Sequence, residues 1–240
     1  MVTVPRLSIV IPALNEGAAL PRLLDALAPL RDVGCEVVVA DGGSSDGTAE
    51  AARDRVDRVV VTEPGRAHQM NEGAAAATGA RLWFLHADSR PPAGAPGRIE
   101  WGLARRAWGR FDVALSGGGL RLAVVAAMMN RRSCWTGICT GDQGLFITRA
   151  GFEAVGGFPE QPLMEDVAFS RRAKRYLGRP ACVPGPLVTS SRRWERDGIA
   201  RTVLLMWRLR AAYALGASPA VLHHRYYGKT VQARENSHGV

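Results

Sequence analysis

The run Val37-Val38-Val39-Ala40 ends on Asp41 and turns at once through Gly42-Gly43-Ser44-Ser45-Asp46-Gly47-Thr48. An unbroken, β-branched apolar run suits a strand buried on both faces. The paired glycines let the backbone reverse, and Ser44, Asp46 and Thr48 supply helix-start chemistry. A chain that passes from a two-sided strand through such a turn into a helix is committed to a mostly parallel α/β sheet. Turns of this kind lie at the carboxyl edge, where open α/β folds bind ligands.

The same alternation fills the first 90 residues. Leu7–Ile11 predicts a strand ended by Pro12, then a helix with Leu20, Leu23, Leu24 and Leu27 on one stripe. Cys35–Ala40, Arg58–Val61 and Leu82–Leu85 are three further strands, separated by helices over Thr48–Arg55 and His68–Thr78. Beyond Pro91-Pro92 the rhythm loosens. A helix is expected from Pro96 to Ala107, strands over Phe111–Leu115 and Leu145–Ile147, and helices over Arg149–Val155, Glu165–Leu177 and Gly198–Leu215. The polar, His- and Tyr-containing tail after Leu215 is expected to fray. With no internal repeat and no linker, residues 1–240 read as one domain, with a nucleotide half over 1–90 and an acceptor half over 91–240.

Composition narrows the class. At 240 residues and 47% hydrophobic, the chain can bury a sizeable core, which argues against wholesale disorder. The stretch Leu120–Met129 falls short of the ~20 apolar residues that span a bilayer and carries Arg121. No secretory leader is recognisable. Cys35, Cys134, Cys139 and Cys182 show no metal-site spacing and read as reduced and mostly buried, so a cytoplasmic protein is expected.

Between Arg171 and Arg234 fourteen Lys and Arg residues face only Glu195 and Asp197, more than the whole chain's net charge of +9. Such a surface suits phosphates or an anionic membrane leaflet, peripherally at the inner face. Nucleic acid is not expected, because no binding module or stacking aromatic pattern accompanies the charge.

Four strings carry a resemblance: Pro12-x-x-Asn15-Glu16, Asp41-Gly42-x-Ser44-x-Asp46-x-Thr48, Gly65-Arg66-Ala67-x-Gln69-x-Asn71-x-Gly73, and Glu165-Asp166. Together they resemble the family-2 inverting glycosyltransferases of GT-A fold, over roughly residues 7–194. Gly141-Asp142-Gln143-Gly144, Leu163-Met164-Glu165-Asp166 and Ser191-Arg192-Arg193-Trp194 are more narrowly similar to a bacterial subgroup named for neighbouring radical-SAM and selenium-related genes. The resemblance implies a Rossmann-like sheet and sugar transfer from a nucleoside diphosphate donor, most readily UDP-linked. The acceptor would be a hydroxyl of a small or lipid-linked molecule.

It also implies roles. Pro12, Asn15, Glu16, Asp41 and Gly42 would line the nucleotide pocket, with Asp41 reading the base and Arg66 reaching the nucleotide or its phosphates. Ser44, Asp46 and Thr48 would shape the loop. His86-Ala87-Asp88 stands where the family has Asp-x-Asp, so Asp88 would hold Mn²⁺ or Mg²⁺. His86 would contact ribose or phosphate, or pack at the strand end. Asp166 would be the general base, with Glu165 the second candidate. Asp142 or Gln143 would orient acceptor hydroxyls. Arg192 and Arg193 would clamp the diphosphate, and Trp194 would stack on a sugar or acceptor. Ser190 occupies the Gln position of the processive Q-x-x-R-W string, which argues against polymer synthesis.

Bland readings stand beside these. Asn15-Glu16 and Glu165-Asp166 also suit first helical turns, and Asp41 and Asp142 also suit turns. The last helix, where Val203, Leu204, Trp207 and Leu215 alternate with Arg201, Arg208 and Arg210, either covers the core, forms a homodimer interface or lies on a membrane. Two other functions compete. A nucleotidyltransferase would need a basic glycine-rich loop after the first strand, which is absent. A non-catalytic sugar-nucleotide sensor or peripheral membrane scaffold would bind without turnover.

Overall fold

The computed structural model describes residues 6–235. Its sheet has seven strands: β1 (Ser8–Ala13), β2 (Glu36–Asp41), β3 (Arg58–Val61), β4 (Arg81–Phe84), β5 (Trp108–Leu115), β6 (Phe146–Thr148) and β7 (Ala181–Thr189). They lie in the order β3-β2-β1-β4-β6-β5-β7, and only β6 runs antiparallel to its neighbours. This is the mostly parallel α/β sheet expected, built by helices that cross between successive parallel strands.

Strand parity sorts the core into two layers. Ile9, Ile11, Val37 and Val39 face α1 (Leu20–Asp32), whose four stripe leucines are all buried. Val10, Val38, Leu82 and Phe84 face the opposite side. There they meet α3 (Arg66–Ala76), α6 (Arg149–Val155) and α7 (Glu165–Leu177). Gly73 of α3 must be a glycine, because a β-carbon would stand 2.5 Å from Val10 Cγ1. That close approach seats α3 against the strand.

Several expectations change. Pro12 does not end the first strand, which continues to Ala13. Pairing with β4 stops at Val10↔Phe84, so Pro12 lies where β1 borders β2 and its missing N–H breaks no ladder to β4. α5 (Leu120–Thr136) and β7 were not foreseen. β7 contains Pro184-Gly185-Pro186, which is tolerated because β7 is an edge strand. The fraying tail is instead α10 (Pro219–Glu235), which seats Leu222 fully buried beside α9 (Ile199–Ala214). No helix among the described residues is long and apolar enough to cross a membrane.

The cysteines also depart from expectation. Cys134 at the end of α5 and Cys182 in β7 form a disulfide across 48 residues, while Cys35 and Cys139 stay free and buried. The two partners belong to elements that were not foreseen, so no spacing could have paired them. The cytoplasmic reading loses the support it drew from four reduced thiols.

Candidate active site

The carboxyl ends of β1 and β2 lie side by side, Ala13 opposite Asp41. Their loops are stitched together by side chains. The Asn15 N–H donates to Ser44 Oγ (2.8 Å), the Ser45 N–H to Asn15 Oδ1 (3.0 Å), the Glu16 N–H to Thr48 Oγ1 (2.9 Å) and the Gly17 N–H to Asp46 Oδ2 (2.9 Å). Asn15 sits at φ 55°, a left-handed conformation that its short amide side chain tolerates. Ser44, Asp46 and Thr48 thus shape the rim. Gln69, given no role by the sequence, donates its amide to the carbonyls of Ala13 and Ala40, and Gly42 leaves room for it (a β-carbon there would lie 3.1 Å from Gln69).

Asp41 is 2% exposed and its carboxylate accepts from the Ser44 N–H at 3.0 Å and from the Ser44 hydroxyl. Pro12, Asn15, Glu16, Asp41 and Gly42 therefore form a shelf beside the main cavity rather than part of its wall. Asp88 and Asp166 line the cavity, and Asp41 does not. Glu16 connects the two regions. Burial first, then the charge of Asp88, hold its carboxyl above the usual range, while the cations of Arg192 and Arg66 oppose the rise.

The cavity itself, about 540 Å³, has a polar end made by Arg66, His86, Asp88, Asp142, Glu165 and Asp166. Arg66, first in α3, keeps 45% of its side chain exposed and reaches Glu165 at 3.3 Å. Glu165 is buried, so its carboxylate aims the guanidinium into the cleft. Asp166 Oδ2 accepts from the Gly141 N–H (2.9 Å). Burial and then the neighbouring Glu165 push its carboxyl up to about 6. Burial, with a smaller contribution from Asp166, also raises Asp142.

His86 is pushed down to about 3 by burial and then by Arg66, so its imidazole is neutral. It packs on Gly141, where a β-carbon would come within 2.6 Å of Nε2. His86 Nε2, Asp142 Oδ1 and Arg132 Nη1 are buried with no hydrogen-bond partner among the described residues. Buried polar atoms in that state call for a polar ligand. Arg132, on α5, was not singled out in the sequence because α5 itself was not foreseen.

The other end is built by α5, α9, α10 and α8 (Arg192–Asp197). Arg193 lines it, its guanidinium 4.1 Å from the ring centroid of Tyr226. Trp194 lines it too while packing against the Val113–Leu122–Val125 cluster. Arg192 is exposed outside the cavity and bonds Ser190 Oγ at 3.1 Å. Gln143 corrects an expectation. It is fully buried, donates to Ser133 Oγ (2.9 Å) and accepts from the Thr140 N–H (3.2 Å), so it fixes the turn rather than facing an acceptor.

For a divalent metal the donor set is partial. No group of three or more His, Cys, Asp or Glu side chains among the described residues could hold an ion. Asp88 and Glu16 bring two carboxylates within each other's field. That pair fits a hard dication if bound phosphate oxygens complete the coordination.

Residues 8–99 match the sequence model of Glycosyl transferase family 2. A PGL/p-HBAD biosynthesis glycosyltransferase of Mycobacterium bovis (strain BCG / Pasteur 1173P2) is 40% identical over 91 residues, 35% of this chain and 36% of the relative. The chain thus spans about a third of the length of that curated relative. Among solved structures, the mannosyltransferase PcManGT from Pyrobaculum calidifontis, in complex with GDP-Man and Mn²⁺, superposes with a TM-score of 0.62 at 23% identity. The match covers 94% of this chain and 70% of that one. TarS 1-349 of S. aureus in complex with UDP-GlcNAc gives 0.61 at 18% identity, covering 77% and 58%. The sheet thus has the fold of these GT-A glycosyltransferase structures, and the family 2 match covers residues 8–99 of the chain.

Proposed function

We propose that the protein is an inverting glycosyltransferase that moves a sugar from a nucleoside diphosphate, UDP in the first instance, to an acceptor hydroxyl. The supporting observation is the cavity end where Asp166, Asp88 and the Arg66–Glu165 pair meet beside the β1–β2 shelf. In this reading residues 1–90 hold the nucleotide and the rest holds the acceptor, and the motifs of the second part resemble those of the radical-SAM-associated subgroup. The relatives with GDP-Man and UDP-GlcNAc favour a nucleotide-sugar donor.

Asp166 takes the proton of the attacking hydroxyl. A carboxyl near 6 is mostly ionised at neutral pH yet basic enough to accept that proton. Arg66, held in position by Glu165, and Arg193 both line the cavity and would stabilise the charge of the departing diphosphate. Mn²⁺ or Mg²⁺ at Asp88, with Glu16 beside it, would supply Lewis-acid stabilisation of the leaving group. One base and one displacement invert the anomeric configuration.

The experiment is UDP release from a panel of UDP-sugars, with GDP-mannose included, by wild type and Asp166→Asn. Isothermal titration of UDP with and without Mn²⁺ accompanies it. Transfer requires release to fall at least a hundredfold in the variant while UDP affinity is retained. Equal background release in both proteins, with tight UDP binding, would leave a sugar-nucleotide sensor instead.

A further inference from the structure

The nucleotide shelf does not line the 540 Å³ cavity, so most of that volume serves something other than the base. Its composition changes along its length. At the Asp166 end the unpartnered atoms of His86, Arg132 and Asp142 await polar groups. Away from it the walls are mainly Val125, Met128 and Met129 of α5, Val203 and Met206 of α9, and the aromatic rings of α10, with Arg193 and Arg210 the cations there. Thr202 lies on this wall, but its hydroxyl is spent on the Gly198 carbonyl at 2.9 Å.

The apolar character continues out of the cavity. Met128 is half exposed at 50%, and Val124 and Leu120 follow it at four-residue intervals along α5, 50% and 82% exposed. Across the opening Trp207 of α9 is 60% exposed. Isolated exposed apolar residues are ordinary, but a file of them continuous with a methionine-lined cavity marks a ligand path. A polyhydroxylated acceptor would leave its hydroxyls unpaired along these walls, which costs binding.

We propose that the acceptor carries its reacting hydroxyl on an apolar body: the hydroxyl lies at Asp166, Asp142 and Arg132, and an aliphatic or aryl chain runs between α5 and α9 past Met128 and Trp207. This rests on the transferase reading for the reaction but not for the binding. The apolar body is reached either as a free amphiphile or as a lipid standing in a bilayer, and the mouth's chemistry is the same for both.

The test uses the full chain and a series of n-alkyl alcohols from butanol to decanol, a phenyl-alkyl alcohol, glycerol and free glucose. Binding is read by tryptophan fluorescence and transfer by UDP release. Binding should tighten about three- to fourfold per added methylene, and release should rise with it. Met128→Glu and Trp207→Ser, both at exposed positions, should weaken decanol at least tenfold and leave UDP affinity within twofold. Glycerol or glucose accepting as well as decanol, or affinity indifferent to chain length and to both variants, would overturn the proposal. Chain-length-dependent binding with no UDP release from any donor would keep the apolar site and remove the transferase reading. Decanol against farnesol embedded in neutral and anionic vesicles separates the sources. Sedimentation with either vesicle, lost in Met128→Glu, assigns the lipid, and transfer to the soluble alcohol alone assigns the free amphiphile.

Discussion

Glu165 and Arg66, on the first turns of two helices that are far apart in sequence, form an ion pair at 3.3 Å in which the acid is buried and the base stays open to the cleft. The asymmetry predicts unequal mutants. Arg66→Met leaves a buried carboxylate unpaired and should cost about 1–2 kcal/mol of stability, discounted because the Arg66 end is solvated. Glu165→Gln should cost less than about 1 kcal/mol, yet raise the donor KM by releasing the guanidinium. Chemical denaturation and steady-state kinetics read the two effects separately.

The acid limb of kcat/KM should fall at about pH 6, tenfold per unit below it, as Asp166 protonates. In Glu165→Gln the limb should move to lower pH, because a neighbouring negative charge that raises the Asp166 carboxyl has gone. A pH–rate profile with an unmoved limb would assign the ionisation elsewhere.

The same raised carboxyl carries a stability cost. Its folded value lies above its unfolded one, so its contribution is fully favourable below about pH 4 and is lost as pH rises through about 6. Asp166→Asn should therefore be inactive and, at pH 7.5, more stable than wild type by on the order of 2 kcal/mol. Thermal melts at pH 4 and 7.5 check the sign, since the gain should vanish at the lower pH.

Gly141→Ala should disturb both His86 and Asp166. The new β-carbon would meet His86 Nε2 at 2.6 Å, and relief of that clash shifts the backbone N–H that binds Asp166 Oδ2. An expected cost of about 1–3 kcal/mol should come with a loss of turnover larger than any change in UDP affinity.

Replacing both Cys134 and Cys182 by serine should lower stability by about 2–4 kcal/mol through the freed chain between them. Reduction of the wild type should reproduce the shift in melting temperature, and alkylation followed by mass measurement counts the thiols.

The first 90 residues were legible because their signals are local. A two-sided strand, a glycine turn and a leucine stripe each dictate structure within a dozen residues, and α1 and β3 appear where their patterns put them, as do α6 and α7 later in the chain. Asp88, Arg66 and Asp166 were singled out through their motifs, and all three line one cavity. What escaped depends on tertiary partners. β7 hides behind Pro184 and Pro186, which only an edge strand accommodates. α10 carries scattered polar residues and gains its place from one buried leucine, Leu222, and from the seat that α9 offers it. Gln143 was read as an acceptor contact and Gln69 was given no role. Burial turned both into braces, a fate that no side-chain chemistry announces.

Because α10 supplies Tyr226 and Tyr227 to the cavity, that helix forms part of its wall. Trimming it to improve crystals would reshape the compartment whose occupant is being sought. Screens for that occupant are best run with residues 219–235 intact and any affinity handle at the opposite terminus.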